Sequence, residues 1–188
     1  MEYLQHSIDR YLKDLSGKMP APGGGSVAAL AAAMAASLVA MSCEFTLGKE
    51  KYKKHAPRIK EVLEAALFLK KQLAQLVDED IKAYRSRDRD ASVRVPAQVC
   101  FLSYDLMKLA GEVLAKGNKN LASDAALAVL LCETSFIAGH LYVRTNLKNS
   151  QDLARRYAVL NRELGRLRKK VSSLRKKIEV TLGTPAGR

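Results

Sequence analysis

The chain of 188 residues contains no tryptophan and few aromatics of any kind, 6% in all. Runs rich in Val, Ile and Thr are scarce, so little of it reads as strand. The three cysteines, Cys43, Cys100 and Cys132, are far apart and odd in number, with no C-x-x-C pair. That excludes a disulfide framework and a structural zinc site, and suits buried thiols in a reducing cytoplasm. His6, His55 and His140 share no ligand spacing, and H-E-x-x-H is missing, so no metal is expected. His140 lies in an apolar helix and reads as a core histidine. No G-x-x-x-x-G-K-[ST] loop and no nucleophile motif with a histidine partner occurs. The opening MEYLQHSIDRYLKD mixes acids and bases in an amphipathic pattern, unlike a secretory leader. Ser26–Cys43 carries no charge, but it is rich in Ala and Ser and short for a span. A cytoplasmic protein without membrane association is the expectation.

What the chain has is helix-forming composition, 48% hydrophobic residues and a net charge of +13. This is enough apolar material for one core without disulfides or metal. The charge is uneven. Ser150–Arg188 holds eleven Lys and Arg against three acids, a net of +8. Polyanions are therefore conceivable partners of this tail. No recognised DNA- or RNA-binding motif accompanies it, so non-specific nucleic-acid binding is open but not favoured.

Apolar periodicity predicts one all-α domain over 1–188, a bundle of about six helices. They run over roughly 2–16, 26–48, 57–87, 96–116, 120–146 and 151–182. Ser26 is read as an N-cap, Pro57 and Pro96 as residues that open helices, and Asn120 or Ser123 as a further cap. RSRDRDASVRV reads as loop or frayed helix, and TPAGR as a frayed end. In the last helix Leu153, Leu160, Leu167 and Leu174 share one heptad position, and Tyr157, Leu164, Val171 and Ile178 the other. That seam must pack on the bundle or on a second subunit.

Several patterns can carry chemistry. PAPGGGSVAA places Gly23, Gly24 and Gly25 just before a helix. This suits a tight turn between close-packed helices, or an anion site at free N–H groups. Ala28, Ala32 and Ala36 form a narrow ridge for close packing. In LVDEDIKAY, Asp80 borders the face defined by Leu73, Leu76, Val77 and Ile81, while Asp78 and Glu79 point elsewhere on the wheel. A carboxylate at an apolar edge is a candidate general base with a raised pKa, or else a surface acid near Lys82. In GNKNLASD, Asn118, Ser123 and Asp124 suit a helix joint, and Asn146 a helix terminus.

PAPGGGSVAA, D-x-x-A-Y at Asp80–Tyr84, VPA at Pro96, the GN and SD of GNKNLASD, and Asn146-Leu147 together resemble the cyclodeaminase/cyclohydrolase family. That family comprises the C-terminal domain of formimidoyltransferase-cyclodeaminase and the stand-alone methenyltetrahydrofolate cyclohydrolases. The resemblance covers roughly Tyr3 to Asp152. It implies an all-α bundle that forms a homodimer. It also implies one-carbon chemistry on a tetrahydrofolate derivative, which is the substrate, with no cofactor. Asp80 takes the catalytic place. Gly23, Gly24, Gly25, Ser26, Tyr84, Asn118, Ser123, Asp124 and Asn146 take substrate-binding places. A polyglutamylated folate tail would suit the basic run Lys49, Lys51, Lys53 and Lys54. Two departures stand out. The family's L-P-K segment and a longer connection after the aromatic are missing here, with Arg85, Arg87 and Arg94 as possible stand-ins. Tyr142 replaces an asparagine of the N-V-x-x-N-L pattern. A second reading is a relative without catalysis that binds partners through its basic last helix.

Overall fold

In a computed structural model that describes residues 2–183, every regular element among those residues is helical. The seven α-helices are α1 (Ile8–Ser16), α2 (Gly24–Glu44), α3 (Ala56–Ser86), α4 (Ala91–Lys116), α5 (Ala122–Lys148), α6 (Gln151–Arg156) and α7 (Ala158–Gly183). Short 3-10 turns cover Tyr3–Gln5, Glu50–His55 and Lys119–Leu121. The expected frayed end, TPAGR, lies outside the described residues.

Helices α2, α3, α4 and α5 pack around one core, with α2 touching all three others. The alanine ridge explains the closeness. Ala32 and Ala36 are fully buried and Ala28 nearly so, and Ala29, Ala35 and Val39 are buried beside them. Small side chains let neighbouring backbones approach, and each buried apolar group contributes by leaving water. By length and composition, α2 and the stretch Lys119–Lys148 could each cross a membrane; 61% and 33% of those windows are buried inside the protein.

Helix boundaries depart from expectation at several places. The first segment is split: Tyr3–Gln5 is a 3-10 turn, and α1 starts only after Ser7, whose side chain accepts from the Arg10 N–H. Asp78, expected on an outer face, is 5% exposed and holds that first turn. Its carboxylate accepts the backbone N–H groups of Tyr3 (2.7 Å) and Leu4 (3.4 Å). Charge-assisted bonds of this kind are among the stronger ones, worth about 1.5–3 kcal/mol.

Secondly, Ser26 is not an N-cap. Gly23 occupies that position, and α2 already includes Gly24 and Gly25. Thirdly, Pro96 does not open α4 but sits inside it. The polar stretch before it forms only a short turn, Arg87–Asp90. Arg87 there is left-handed (φ 55°), and Asp88 Oδ1 accepts the Ala91 N–H at 2.9 Å. Fourthly, α5 is capped by neither Asn120 nor Ser123. It starts at Ala122 from a 3-10 turn that Asn118 caps.

The last segment breaks at Tyr157, between α6 and α7. Tyr157 donates its hydroxyl to Asp90 Oδ1 at 2.8 Å, and Arg156 ion-pairs with the same carboxylate. The heptad seam is used within the chain. Leu164, Val171 and Ile178 are buried where α7 packs on α4 and α5. Arg175 also pairs with Glu133 of α5 at 2.9 Å. His140 is the expected core histidine: it is buried, its Nε2 lies 3.3 Å from Asn161 Oδ1, and burial lowers its pKa. All three cysteines are buried, and burial pushes the Cys43 and Cys100 thiols up to about 12.

Candidate functional site

The glycine turn and the acid of α3 meet. Asp80 lies against the first turn of α2, where its carboxylate accepts the Ser26 backbone N–H. Gly25 makes that possible, because a Cβ there would overlap the Asp80 carboxylate itself. Gly24 is bare for the same kind of reason, since a Cβ would overlap the Tyr142 hydroxyl. The glycines are therefore short rather than strained: none of the three has positive φ.

Ser26 supports this wall from behind. Fully buried, it donates its hydroxyl to the Gly23 carbonyl at 2.8 Å. Its one hydrogen is then used, so the Tyr11 hydroxyl, 2.9 Å away, must donate to it. Burial raises the Tyr11 pKa, and the Asp80 charge adds to that rise.

Asp80 faces a cavity of about 320 Å³. Pro20, Ala21 and Gly23–Gly25 form one wall, Ala83 and Tyr84 continue from Asp80, and Ser92, Pro96, Tyr142, Thr145 and Asn146 close the other side. Tyr84 is 60% exposed. Burial pushes the Asp80 carboxyl from 3.8 up to about 6, although the Ser26 N–H pulls the other way. A carboxyl so placed can take and return a proton near neutral pH.

Asn146 serves a second purpose that its spacing alone did not reveal. Pro96 has no N–H, so the carbonyl four residues earlier in α4, that of Ser92, loses its helical partner. The Asn146 side chain supplies the missing donor, with Nδ2 2.7 Å from the Ser92 oxygen. This ties α5 to α4 at the cavity wall. Asn146→Leu should cost about 0.5–1.5 kcal/mol, the net worth of an ordinary hydrogen bond at this part-buried site. A thermal melt showing no loss would contradict this pairing.

Four of the expected positions lie elsewhere or behind the wall. Ser26 contributes its backbone and supports the turn, but its side chain does not line the cavity. Asn118, Ser123 and Asp124 sit at the opposite end of the bundle, one length of α2 away, about 30 Å at ~1.5 Å per residue. There Asn118 donates its backbone N–H to Thr46 and its Nδ2 to the Phe45 carbonyl, joining the start of α5 to the end of α2. Ser123 is exposed and Asp124 half-buried on the first turn of α5. The basic run Lys49–Lys54 is at that far end too, in and around the turn Glu50–His55, so it cannot rim this cavity. A neighbouring depression of about 290 Å³ shares Ala83 with the cavity; Arg94 lines it, with Lys82, which is paired with Glu2, and the acids Glu79 and Asp88. Sequence reasoning passed over Ser92 and Thr145 as site residues. Tyr142 was visible only as a substitution, although it lies one helical turn from Asn146.

The family model described as Formiminotransferase-cyclodeaminase matches residues 7–88 and 86–163. The chain belongs to the formiminotransferase-cyclodeaminase family. The two matched pieces meet at the α3–α4 turn. A methenyltetrahydrofolate cyclohydrolase of Methylorubrum extorquens is 32% identical over 171 residues, covering 79% of this chain and 82% of that protein. A formimidoyltransferase-cyclodeaminase of Mus musculus is 27% identical, and the match spans 79% of this chain but only 32% of the mouse protein. The crystal structure of a formiminotetrahydrofolate cyclodeaminase from Thermotoga maritima superposes with a TM-score of 0.83 at 26% identity. The superposition covers 94% of this chain and 97% of that one.

Proposed function

We propose that the protein is a cytoplasmic, homodimeric folate enzyme that hydrolyses 5,10-methenyltetrahydrofolate to 10-formyltetrahydrofolate, with Asp80 as general acid and base. The observation that carries this reading is a carboxyl held at about 6 against the glycine turn of a family member. A water oxygen attacks the bridging carbon while Asp80 takes its proton. The C–N5 bond of the adduct then breaks, and Asp80 returns that proton to N5. The remaining hydroxyl proton leaves to solvent, so cationic substrate and water give the formyl product and one proton. The scheme balances with no redox group and no metal, and the folate is substrate rather than cofactor.

The similarity to the Thermotoga cyclodeaminase favours a second reaction at the same site. In the protonated 5-formimidoyl substrate, N10 attacks the formimidoyl carbon. Asp80 carries the N10 proton to the nitrogen that departs as ammonia, and the methenyl cation remains. Either substrate would place its bicyclic ring in the cavity, with the Asn146 amide oxygen free to accept a ring N–H. Gly23 to Gly25 give that ring a flat wall, and Tyr84 stands at the mouth.

A glutamate or polyglutamate tail would leave the cavity past Ala83 towards Arg94. Arg94→Glu should raise KM for a polyglutamylated substrate several-fold and leave kcat within about twofold, as removal of uniform binding does. An unchanged KM would rule out this path. The reaction itself is tested by supplying both folates to purified protein and following methenyl absorbance. Its decay identifies the hydrolase and its appearance the deaminase. No change above the spontaneous rate with either substrate would refute both.

A further inference from the structure

Two neighbouring glycines each make room for one polar group. The Cβ that Gly25 lacks would fall on the Asp80 carboxylate, and the one that Gly24 lacks on the Tyr142 hydroxyl. Side-chain places on successive residues of a helix lie about 5 Å apart, at ~3.6 residues per turn and ~1.5 Å of rise. The two heads therefore stand side by side over the first turn of α2, and both line the same cavity. A water bridging two oxygens spans roughly 5–6 Å, two hydrogen bonds of about 2.8 Å each. One water fits between heads so spaced. Half-buried Tyr142 is also uncommitted, since its hydroxyl has no hydrogen-bond partner among the described residues. The other polar heads of the cavity are placed differently. Ser92 donates its hydroxyl to the Arg89 carbonyl, the Asn146 amide nitrogen is held by the Ser92 carbonyl, and Thr145 is exposed. Asp80 is the one carboxylate lining the cavity among the described residues. The other titratable groups facing it are Tyr84, Tyr142 and, behind Ser26, Tyr11.

We infer that the Tyr142 hydroxyl holds the nucleophilic water against Asp80, and that this commits the cavity to hydrolysis rather than to loss of ammonia. The assignment rests on the cavity being the folate site. Water brings two hydrogens, and Asp80 takes one as the oxygen bonds to the bridging carbon. The Tyr142 oxygen accepts the other, which leaves a lone pair of the water aimed at that carbon. When the C–N5 bond breaks, its electron pair stays on N5, and N5 receives the proton held by Asp80. The hydroxyl proton of the adduct passes to the Tyr142 oxygen, which gives its own proton to solvent. The phenol and the carboxylate are thus restored. In deamination the attacking N10 belongs to the substrate, and the departing nitrogen is already bonded to the carbon. Neither has to be captured from solvent. Fixing a free reactant is where positioning contributes most, so a water-holding hydroxyl favours hydrolysis.

Tyr142→Phe should lower kcat for hydrolysis of 5,10-methenyltetrahydrofolate about tenfold to a hundredfold, the effect of letting a reactant drift by about an ångström. KM should stay within about twofold, since the ring that lines the cavity is kept. The thermal midpoint should not move, because the hydroxyl holds no internal bond. The bend of the kcat/KM profile at about 6 should persist, because Asp80 is untouched. Gly24→Ala, which displaces the hydroxyl, should by itself cost hydrolysis about tenfold or more. Added to Tyr142→Phe it should cost less than about a further twofold, since both changes remove one interaction. The ring carbon behind the hydroxyl lies 2.9 Å from the added Cβ and has only a small shift to make. A wild type that hydrolyses while Tyr142→Phe keeps its kcat would overturn the inference and leave the folate reading standing. So would a loss confined to KM, a lowered thermal midpoint, or costs of the two substitutions that simply multiply. A wild type that releases ammonia from the 5-formimidoyl substrate without hydrolysing the methenyl one would also overturn it, and leave Asp80 its role. Turnover of neither folate would refute the proposed reaction, and this inference with it.

Discussion

Asp80→Asn should lower kcat by roughly two to four orders of magnitude, the usual contribution of a positioned acid–base group. It should also make the protein more stable at neutral pH. Folding moves the Asp80 carboxyl from 3.8 up to about 6, because burial disfavours the charged form. The folded chain therefore binds the proton more tightly than the unfolded chain. Stability linked to this group is fully present below the unfolded value and is lost as pH rises to about 6. Above that, keeping Asp80 ionised costs on the order of 1–2 kcal/mol after allowance for partial solvation. Asparagine has no charge to bury, and its amide oxygen still accepts the Ser26 N–H. Chemical denaturation at about pH 7.5 should show the gain and at about pH 4 should not. An activity loss with equal destabilisation at both pH values would mean that Asp80 is a structural residue instead.

Gly25→Ala should lower kcat by roughly tenfold to a hundredfold, the penalty of moving a reacting group by a fraction of an ångström to an ångström. Elsewhere inside a helix this exchange gains about 1 kcal/mol. Here the new methyl would occupy the place of the Asp80 carboxylate, which would have to swing off the Ser26 N–H. Gly165→Ala in α7 is the control: nothing lies within 4 Å of its added Cβ and it does not line the cavity, so turnover should stay within about twofold. If Gly25→Ala proved active and more stable, the glycines would be helix formers by accident and not a wall fitted to the carboxyl.

The helical class, the long α3 and the alanine core of α2 were legible because each follows from local periodicity and side-chain size. Asp80 was legible as an acid bordering an apolar stripe. Two things were not. Asp78 looked exposed by the wheel alone, because the wheel carries no information about a distant first turn with free N–H groups. The pairing of Pro96 with Asn146 was hidden because it links a missing donor in α4 to a side chain in α5. Nothing in either segment alone signals it. Asn118, Ser123 and Asp124 fall one bundle length from Asp80, a separation visible only once α2 and α5 run in opposite directions.

The proposed chemistry rests on Asp80 moving the proton at the folate bridge. The most direct measurement is kcat/KM for 5,10-methenyltetrahydrofolate from about pH 4.5 to 8.5, corrected for spontaneous hydrolysis, in wild type and in Asp80→Asn. The wild-type profile should rise through a bend at about 6 and then level. The bend should vanish along with the activity in the variant. A profile flat through that region, or a bend that persists in Asp80→Asn, would contradict it.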